Sequence, residues 1–436
     1  MVRDEARPAM KLKRSIGAQV RIACLIAGLL LASAVAACAQ GRIVAIGDVH
    51  GAYPEFVSIL QRTGLIDGNH KWIGGSAILI QTGDLVDRGS QSRECIDLMM
   101  GIESQAAKSG GRVIPLLGNH DVLNILGDMR YVSPDIYRNF VTSKSDKKRE
   151  QAYRDFMKFL SAHRNHSQAD VSGDDEATRE KWLSEHPLGF FEYRDAIGPG
   201  GRYGAWFRLH NAIARAGDGL FMHGGLNPML QFQNIADLNI RIRSELASFD
   251  FIWQSLVRKK VIWRYAKLEE AVRQVNEELK WMQVHGKMEN PEVVQQMRQL
   301  LSLNDWMISS QDGPLWYRGL ALGGEENLMD ALKAMLARLD AQYIVAGHTV
   351  LSKTAITARF DSRVFMIDTG MFKEAYGGRA SALEIQNGQF TAYYADGEPK
   401  ILVTPGQKAA ASSSPRLREQ NSMTMIDFVT GPRLIP

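Results

Sequence analysis

Residues 42–51 read Arg42-Ile43-Val44-Ala45-Ile46-Gly47-Asp48-Val49-His50-Gly51, four apolar residues running into a carboxylate and an imidazole flanked by glycines. The apolar, β-branched run predicts a strand buried on both faces, and the glycine-bounded Asp-x-His predicts a functional loop at its C-terminal end. The same grammar recurs down the chain. Runs at 77–80, 113–117, 220–222, 343–345 and 364–367 each end in a polar cluster. Those clusters are Gly83-Asp84-Leu85-Val86-Asp87-Arg88-Gly89, Gly118-Asn119-His120-Asp121, His223-Gly224-Gly225, Gly347-His348-Thr349 and Asp368-Thr369-Gly370.

Helical stretches at 54–61 and 90–108 separate the first three strands, with Pro54 suited to a first turn and Ser90 to a cap. Asp48 and Asp84 are 36 residues apart, Asp84 and Asn119 are 35 apart, and each interval holds one strand, one helix and one return. The wiring is therefore βαβαβ, and its three loops are expected side by side where open α/β sheets bind ligands. Two polar segments, 127–200 and 228–311, carry Lys, Arg, Glu and Gln at helical spacing and are read as helical insertions over the site. The stretch 406–436 reads as a weakly ordered tail.

Six loops offering carboxylate, amide and imidazole donors suit borderline ions such as Mn, Fe, Co, Ni or Zn, whereas calcium prefers oxygen alone. Composition narrows the rest. The chain has 436 residues and a formal charge of +4, but residues 1–39 hold six basic residues against two acidic ones. The remainder has 46 of each, so no nucleic-acid partner is expected. Residues 1–39 combine a basic start, an uncharged run at 22–37 and a small-residue end, which reads as a signal peptide for export to a periplasm or its equivalent. Cleavage is expected before Gln40, with acylation of Cys38 as the alternative, and no membrane contact is expected beyond that signal. Cys95 is the one cysteine well inside the mature chain and reads as a core residue.

The blocks GDVHG, GDLVDRG, GNHD, HGG and GHT, in that order, resemble the calcineurin-like metallophosphoesterases, and the DRG ending resembles their phosphoprotein phosphatase branch. With Asp312-Gly313-Pro314-Leu315-Trp316-Tyr317-Arg318 between the late histidines, the sequence is most similar to the bacterial Shewanella-like protein phosphatases. The similarity runs from residue 42 to about 394, outside much of both insertions, with GNHD where the commonest eukaryotic members have GNHE.

That resemblance implies an αββα sandwich and two divalent or mixed-valence transition metals (Mn, Fe or Zn). Asp48, His50 and His348 would hold one, Asn119 and His223 the other, and Asp84 would bridge them. It implies hydrolysis of a phosphomonoester, on a phosphorylated protein or a small molecule, by in-line attack of a water shared by the metals. Arg88 would grip the phosphate, with Asn119 and Arg318 as further contacts. His120 would protonate the leaving oxygen, with Asp121 keeping its imidazole charged. Asp87 would support Arg88 or cap a helix, and Asp368 would orient a ligand or close a turn. A bis-nucleoside tetraphosphatase or nucleotidase on the same blocks is the alternative enzyme, and a non-catalytic binding protein the alternative class. His163 and His166 read as a solvated helix face, and Trp253, Trp263 and Trp281 as core positions.

Overall fold

A computed structural model describes residues 41–163, 176–286 and 290–406, so the leader, Cys38, His166 and the tail beyond 406 lie outside the described residues. The six expected strands are present as β1 (Ile43–Ile46), β2 (Ile78–Gln81), β3 (Arg112–Pro115), β5 (Gly219–Met222), β6 (Tyr343–Ala346) and β8 (Val364–Met366). They divide between two sheets. β1 pairs in parallel with β2, and β2 with β3, while β5, β6 and β8 form a second parallel set.

Each parallel set is extended by antiparallel strands that carry no polar loop: β4 (Ile213–Ala216) and β7 (Thr357–Arg359) on the second sheet, and β9 (Ser381–Gln386), β10 (Gln389–Tyr394) and β11 (Gly397–Val403) on the first. The orders are β11-β10-β9-β1-β2-β3 and β4-β5-β6-β8-β7.

Successive side chains of a strand point to opposite faces, and here both faces are apolar. Ile43, Ala45, Ile80, Phe221, Val345 and Phe365 meet Leu383, Ile385 and Phe390 in a core between the sheets, where the Phe365 and Phe390 rings stack at 4.5 Å. The alternate residues Val44, Ile46, Leu79, Leu220, Ile344 and Val364 face helices on the outside. The result is the four-layer α/β arrangement, helices enclosing two stacked sheets.

Helix α1 (Tyr53–Arg62) begins with Pro54 in its first turn and buries Phe56, Ile59 and Leu60, a spacing that puts all three on one face. Helix α2 (Ser92–Lys108) buries Cys95, Ile96, Met99 and Ile102 in the same way, so Cys95 is indeed a core residue. Helix α3 (Asn119–Leu126) starts directly at the third polar loop. Between β3 and β4 lie α4 (Pro134–Arg138), α5 (Ser145–Ala162), α6 (Glu176–Glu185), α7 (Phe190–Ile197) and α8 (Arg202–Phe207). Between β5 and β6 lie α9 (Ile235–Arg258), α10 (Leu268–Val284), α11 (Pro291–Leu301), a short 3-10 helix and two further α-helices. Trp263 is in the core, Trp253 packs partly buried against it, and Trp281 stacks on His285 instead.

Candidate metal centre and acid relay

All six polar loops emerge from the C-terminal ends of parallel strands, three from each sheet, and meet at the rim where the sheets adjoin. The turns are sharp. His50, Asp84, Asp87, Arg88 and His348 all have positive φ, between 51° and 72°, a region that costs a non-glycine residue on the order of 1–3 kcal/mol. Backbone bonds hold them there: the Val49 and His50 amides donate to the Asp84 carbonyl at 3.0 and 2.9 Å, and Gly89 N–H donates to the His50 carbonyl at 2.9 Å. Two glycines are required by close approach. A Cβ on Gly118 would lie 2.1 Å from Asp84 Oδ1, and one on Gly347 would lie 2.4 Å from Asp48 Oδ1.

The side chains converge on Asp84. Its Oδ2 stands 3.4 Å from His223 Nε2 and 3.6 Å from His50 Nε2, and its Oδ1 accepts from the His120 amide at 2.9 Å. Asp48 Oδ2 is 3.9 Å from His50 Nε2, while Asp48 Oδ1 accepts from the His348 amide at 2.9 Å. Asn119 Oδ1 is 2.7 Å from His223 Nε2. The Nδ1 atoms of His50 and His223 face the carbonyls of Val86 and Thr82, so each ring presents Nε2 to the cluster.

Two expectations are corrected by this geometry. His348 was expected beside His50, yet its donor atom groups with those of Asp84 and His223, all within 4.8 Å, because the β6 loop lies next to the β5 loop in the second sheet. Asp121 was expected to hold His120 charged, but its carboxylate turns back to accept the amides of Asp84, Leu85 and Gly118 at 2.9 to 3.1 Å. It ties the β2 loop to the β3 loop and does not touch the imidazole. The partner of His120 is Asp87: Nδ1 and Oδ2 are 2.7 Å apart. Asp87 Oδ1 in turn accepts from Asn124 Nδ2 at 2.8 Å, and Asn124 Oδ1 accepts from the Tyr193 hydroxyl at 2.6 Å. This relay was illegible in sequence, because Tyr193 arrives from α7, 73 residues after His120.

Arg88 and Arg318 reach the same mouth by different routes. The Arg88 guanidinium lies over the rings of Tyr131 and Tyr376, at 4.8 and 5.5 Å, and its Nε is buried with no hydrogen-bond partner among the described residues. Tyr131 also packs on His120 and Tyr376 stacks on His50; neither tyrosine follows a recognisable motif. Arg318 Nη1 donates to the His348 carbonyl at 2.9 Å and to Thr349 Oγ1 at 2.8 Å, so it braces the β6 loop. Asp368 Oδ1 accepts from the Gly370 amide, closing the β8 turn.

The electrostatics describe a site built for cations. Burial, reinforced by Asp368 and Asp84, holds the Asp48 carboxyl well above its ordinary range, and burial with Asp121 does the same to Asp84. Burial pushes Asp121 and Asp87 up to about 7 and Asp368 to about 6. The same desolvation lowers His50, His120, His223 and His348; at His50, His223 and His348 it favours neutral rings with free lone pairs, whereas at His120 the Asp87 carboxylate 2.7 Å from Nδ1 favours the charged ring against it. His348 Nε2 is buried without a hydrogen-bond partner among the described residues, as expected of an atom kept for a metal. Crowded buried carboxylates beside neutral imidazoles fit divalent ions, which would relieve the repulsion that raises these carboxyls. Among the described residues two groups of donors are close enough to hold an ion, His50-Asp84-His120 and Asp84-His223-His348, with Asp84 in both.

The chain is similar to known proteins over most of the described region. It is 28% identical over 345 residues to an uncharacterized protein of Schizosaccharomyces pombe, covering 79% of this chain and 76% of that one. It is 24% identical over 338 residues to Shewanella-like protein phosphatase 1 of Plasmodium berghei, covering 76% and 67%. The crystal structure of the cold-active protein-tyrosine phosphatase of a psychrophile Shewanella sp. superposes with a TM-score of 0.51 at 22% identity, covering 83% of this chain and 80% of that one, a likeness of fold. The family model for calcineurin-like phosphoesterases matches residues 41–352, which takes in five of the six converging loops, and this chain belongs to that family.

Proposed function

We propose that this phosphoesterase is a protein phosphatase that uses two transition-metal ions, and that the loops described above are its active site. The observation that supports this reading most directly is Asp84 Oδ2 standing between His50 Nε2 and His223 Nε2, at 3.6 and 3.4 Å. Asp48 and His50 would share one ion with Asp84; Asn119, His223 and His348 would share the other. Metal ions bound there supply a water nucleophile acidified toward neutrality and a charge that offsets the phosphoryl oxygens.

The chain's own residues do the rest. Arg88, held between two tyrosine faces with an unpartnered Nε, offers a planar fork to two phosphate oxygens. Arg318 adds positive potential from the opposite loop. His120 donates its Nε2 proton to the departing oxygen, and Asp87 stabilises the imidazolium from behind at 2.7 Å. Departure of the protonated leaving group therefore leaves His120 one proton short, and the proton that the attacking water gives up to solvent makes it good.

Manganese, iron and zinc all suit this donor set. The deciding experiment is a panel of phosphoserine, phosphothreonine and phosphotyrosine peptides beside a dinucleoside polyphosphate, run on protein whose metals have been identified. Turnover of a phosphopeptide supports the reading; turnover of the polyphosphate alone overturns it. We further propose that residues 1–39 are an export signal and that the mature chain acts in a periplasm. Intact-mass measurement of the exported protein checks this, and recovery of the full chain or of an acylated Cys38 overturns it.

A further inference from the structure

Behind the acid relay lies a cavity of about 620 Å³, walled by α7, the 198–201 turn and α9. Its volume falls in the roughly 300–1,000 Å³ range of small-molecule sites. None of the donors grouped around Asp84 lines it, although Asn124, which supports Asp87, forms part of its wall.

Its charges do not balance. Among the described residues Arg194, Arg208, Arg258 and Arg264 face the cavity against Asp195 and Asp250. Both carboxylates are already engaged: Asp250 receives the Arg208 fork at 2.7 and 2.8 Å, and Asp195 accepts from Lys148 Nζ at 2.7 Å and lies 3.5 Å from Arg264. Arg194 is left over. Its Nε is buried with no hydrogen-bond partner among the described residues, and its Nη2 makes a long bond of 3.3 Å to the Ala266 carbonyl. Arg194 is part-buried, but a buried N–H with no acceptor is costly unless an anion meets it. Next to it the wall turns aromatic, with Trp253 6.0 Å from the Arg194 guanidinium and Phe249 5.5 Å from Trp253.

We propose that this cavity binds a small organic anion with a planar apolar body, its carboxylate or phosphate on Arg194 and Arg258 and its ring against Phe249 and Trp253. The anion satisfies the Arg194 donor, and the ring fills a wall that is mainly apolar.

The test is calorimetric titration of the full-length, metal-containing protein with 2-naphthoate, using uncharged 2-naphthylmethanol and inorganic phosphate as comparison probes. The expected result is saturable, one-to-one naphthoate binding that phosphate does not displace and that the alcohol does not reproduce. Arg194→Gln should weaken it about tenfold or more. Because Arg194 packs closely on Gly127 and its loss could disturb the fold, Arg258→Gln, at the exposed rim, is the second variant; it should weaken binding about threefold with the melting temperature unchanged. No saturable binding, equal binding of the alcohol, displacement by phosphate, or undiminished affinity in Arg258→Gln would overturn the proposal. Absence of phosphatase activity would leave it standing, since no donor of the Asp84 cluster takes part.

Discussion

Asp87→Asn tests the acid relay with almost no change of volume. In the protein, Asp87 Oδ1 accepts from Asn124 Nδ2 at 2.8 Å, so the oxygen of an asparagine at this position must stay on that side to avoid two opposed N–H groups. Its amide NH₂ then faces His120 Nδ1, where a carboxylate oxygen stood at 2.7 Å. Nδ1 can now only accept, the ring is held neutral, and the charge-assisted bond is gone. Such a bond is worth about 1.5–3 kcal/mol, which at about 1.4 kcal/mol per tenfold corresponds to roughly 10- to 150-fold in a step that depends on the imidazolium. The loss should appear only where the leaving group needs a proton. A serine alkoxide, a strong base and poor leaving group, needs it; 4-nitrophenolate, a far weaker base, does not. The assay is kcat on a phosphoserine peptide and on 4-nitrophenyl phosphate, with metal content measured in the same samples. An equal loss on both substrates with metals fully bound would refute the relay. His120→Asn should show the same selectivity more strongly, and Asp121→Asn should not show it.

Asp84→Asn should lower occupancy at both metal positions and remove nearly all turnover, whereas His223→Ala should empty mainly the position it shares with Asn119 and His348, as metal analysis will show. Arg88→Lys should weaken phosphate inhibition and turnover together at unchanged metal content, because a point ammonium cannot replace the fork held between Tyr131 and Tyr376. Gly118→Ala drives a methyl against both Asp84 Oδ1 and the Asp84 backbone nitrogen, at 2.1 and 2.3 Å, and should cost metal affinity together with stability, measured by metal retention on dialysis beside thermal melting. Loading the chelated protein should release protons increasingly as pH is lowered, because Asp48 and Asp84 are held above the ordinary carboxylate range and the ions must displace the protons they carry. Affinity should accordingly fall as pH is lowered; titration in buffers of different ionisation enthalpy measures the release, and a pH-independent affinity would contradict it.

The chain's local sequence was sufficient for one half of this molecule. Six apolar runs ending in Gly, Asp, His and Asn clusters announced six strands and their loops, because a strand buried on both faces reads as an uninterrupted apolar stretch and a sharp ligand-bearing turn needs glycine. The flanking strands β4, β7, β9, β10 and β11 carry no such loop and went unread. Their apolar residues only acquire meaning when β9 pairs with β1 and Phe390 meets Phe365 across the sandwich.

The division of the site was likewise out of reach of the sequence. Chain order placed GHT last of the five blocks and the resemblance put His348 with Asp48 and His50; the order β5-β6 in the second sheet puts it beside His223 instead. Adjacency suggested Asp121 as the partner of His120. On a helix, however, the next residue points about 100° away, and at the start of α3 its carboxylate is drawn to the free amides of Gly118, Asp84 and Leu85. Asp87, 33 positions earlier, is the residue the fold delivers to Nδ1. Residue identity and spacing determined which chemistry this chain can perform; which side chains touch was decided by strand order and by the directions in which loops leave the sheets.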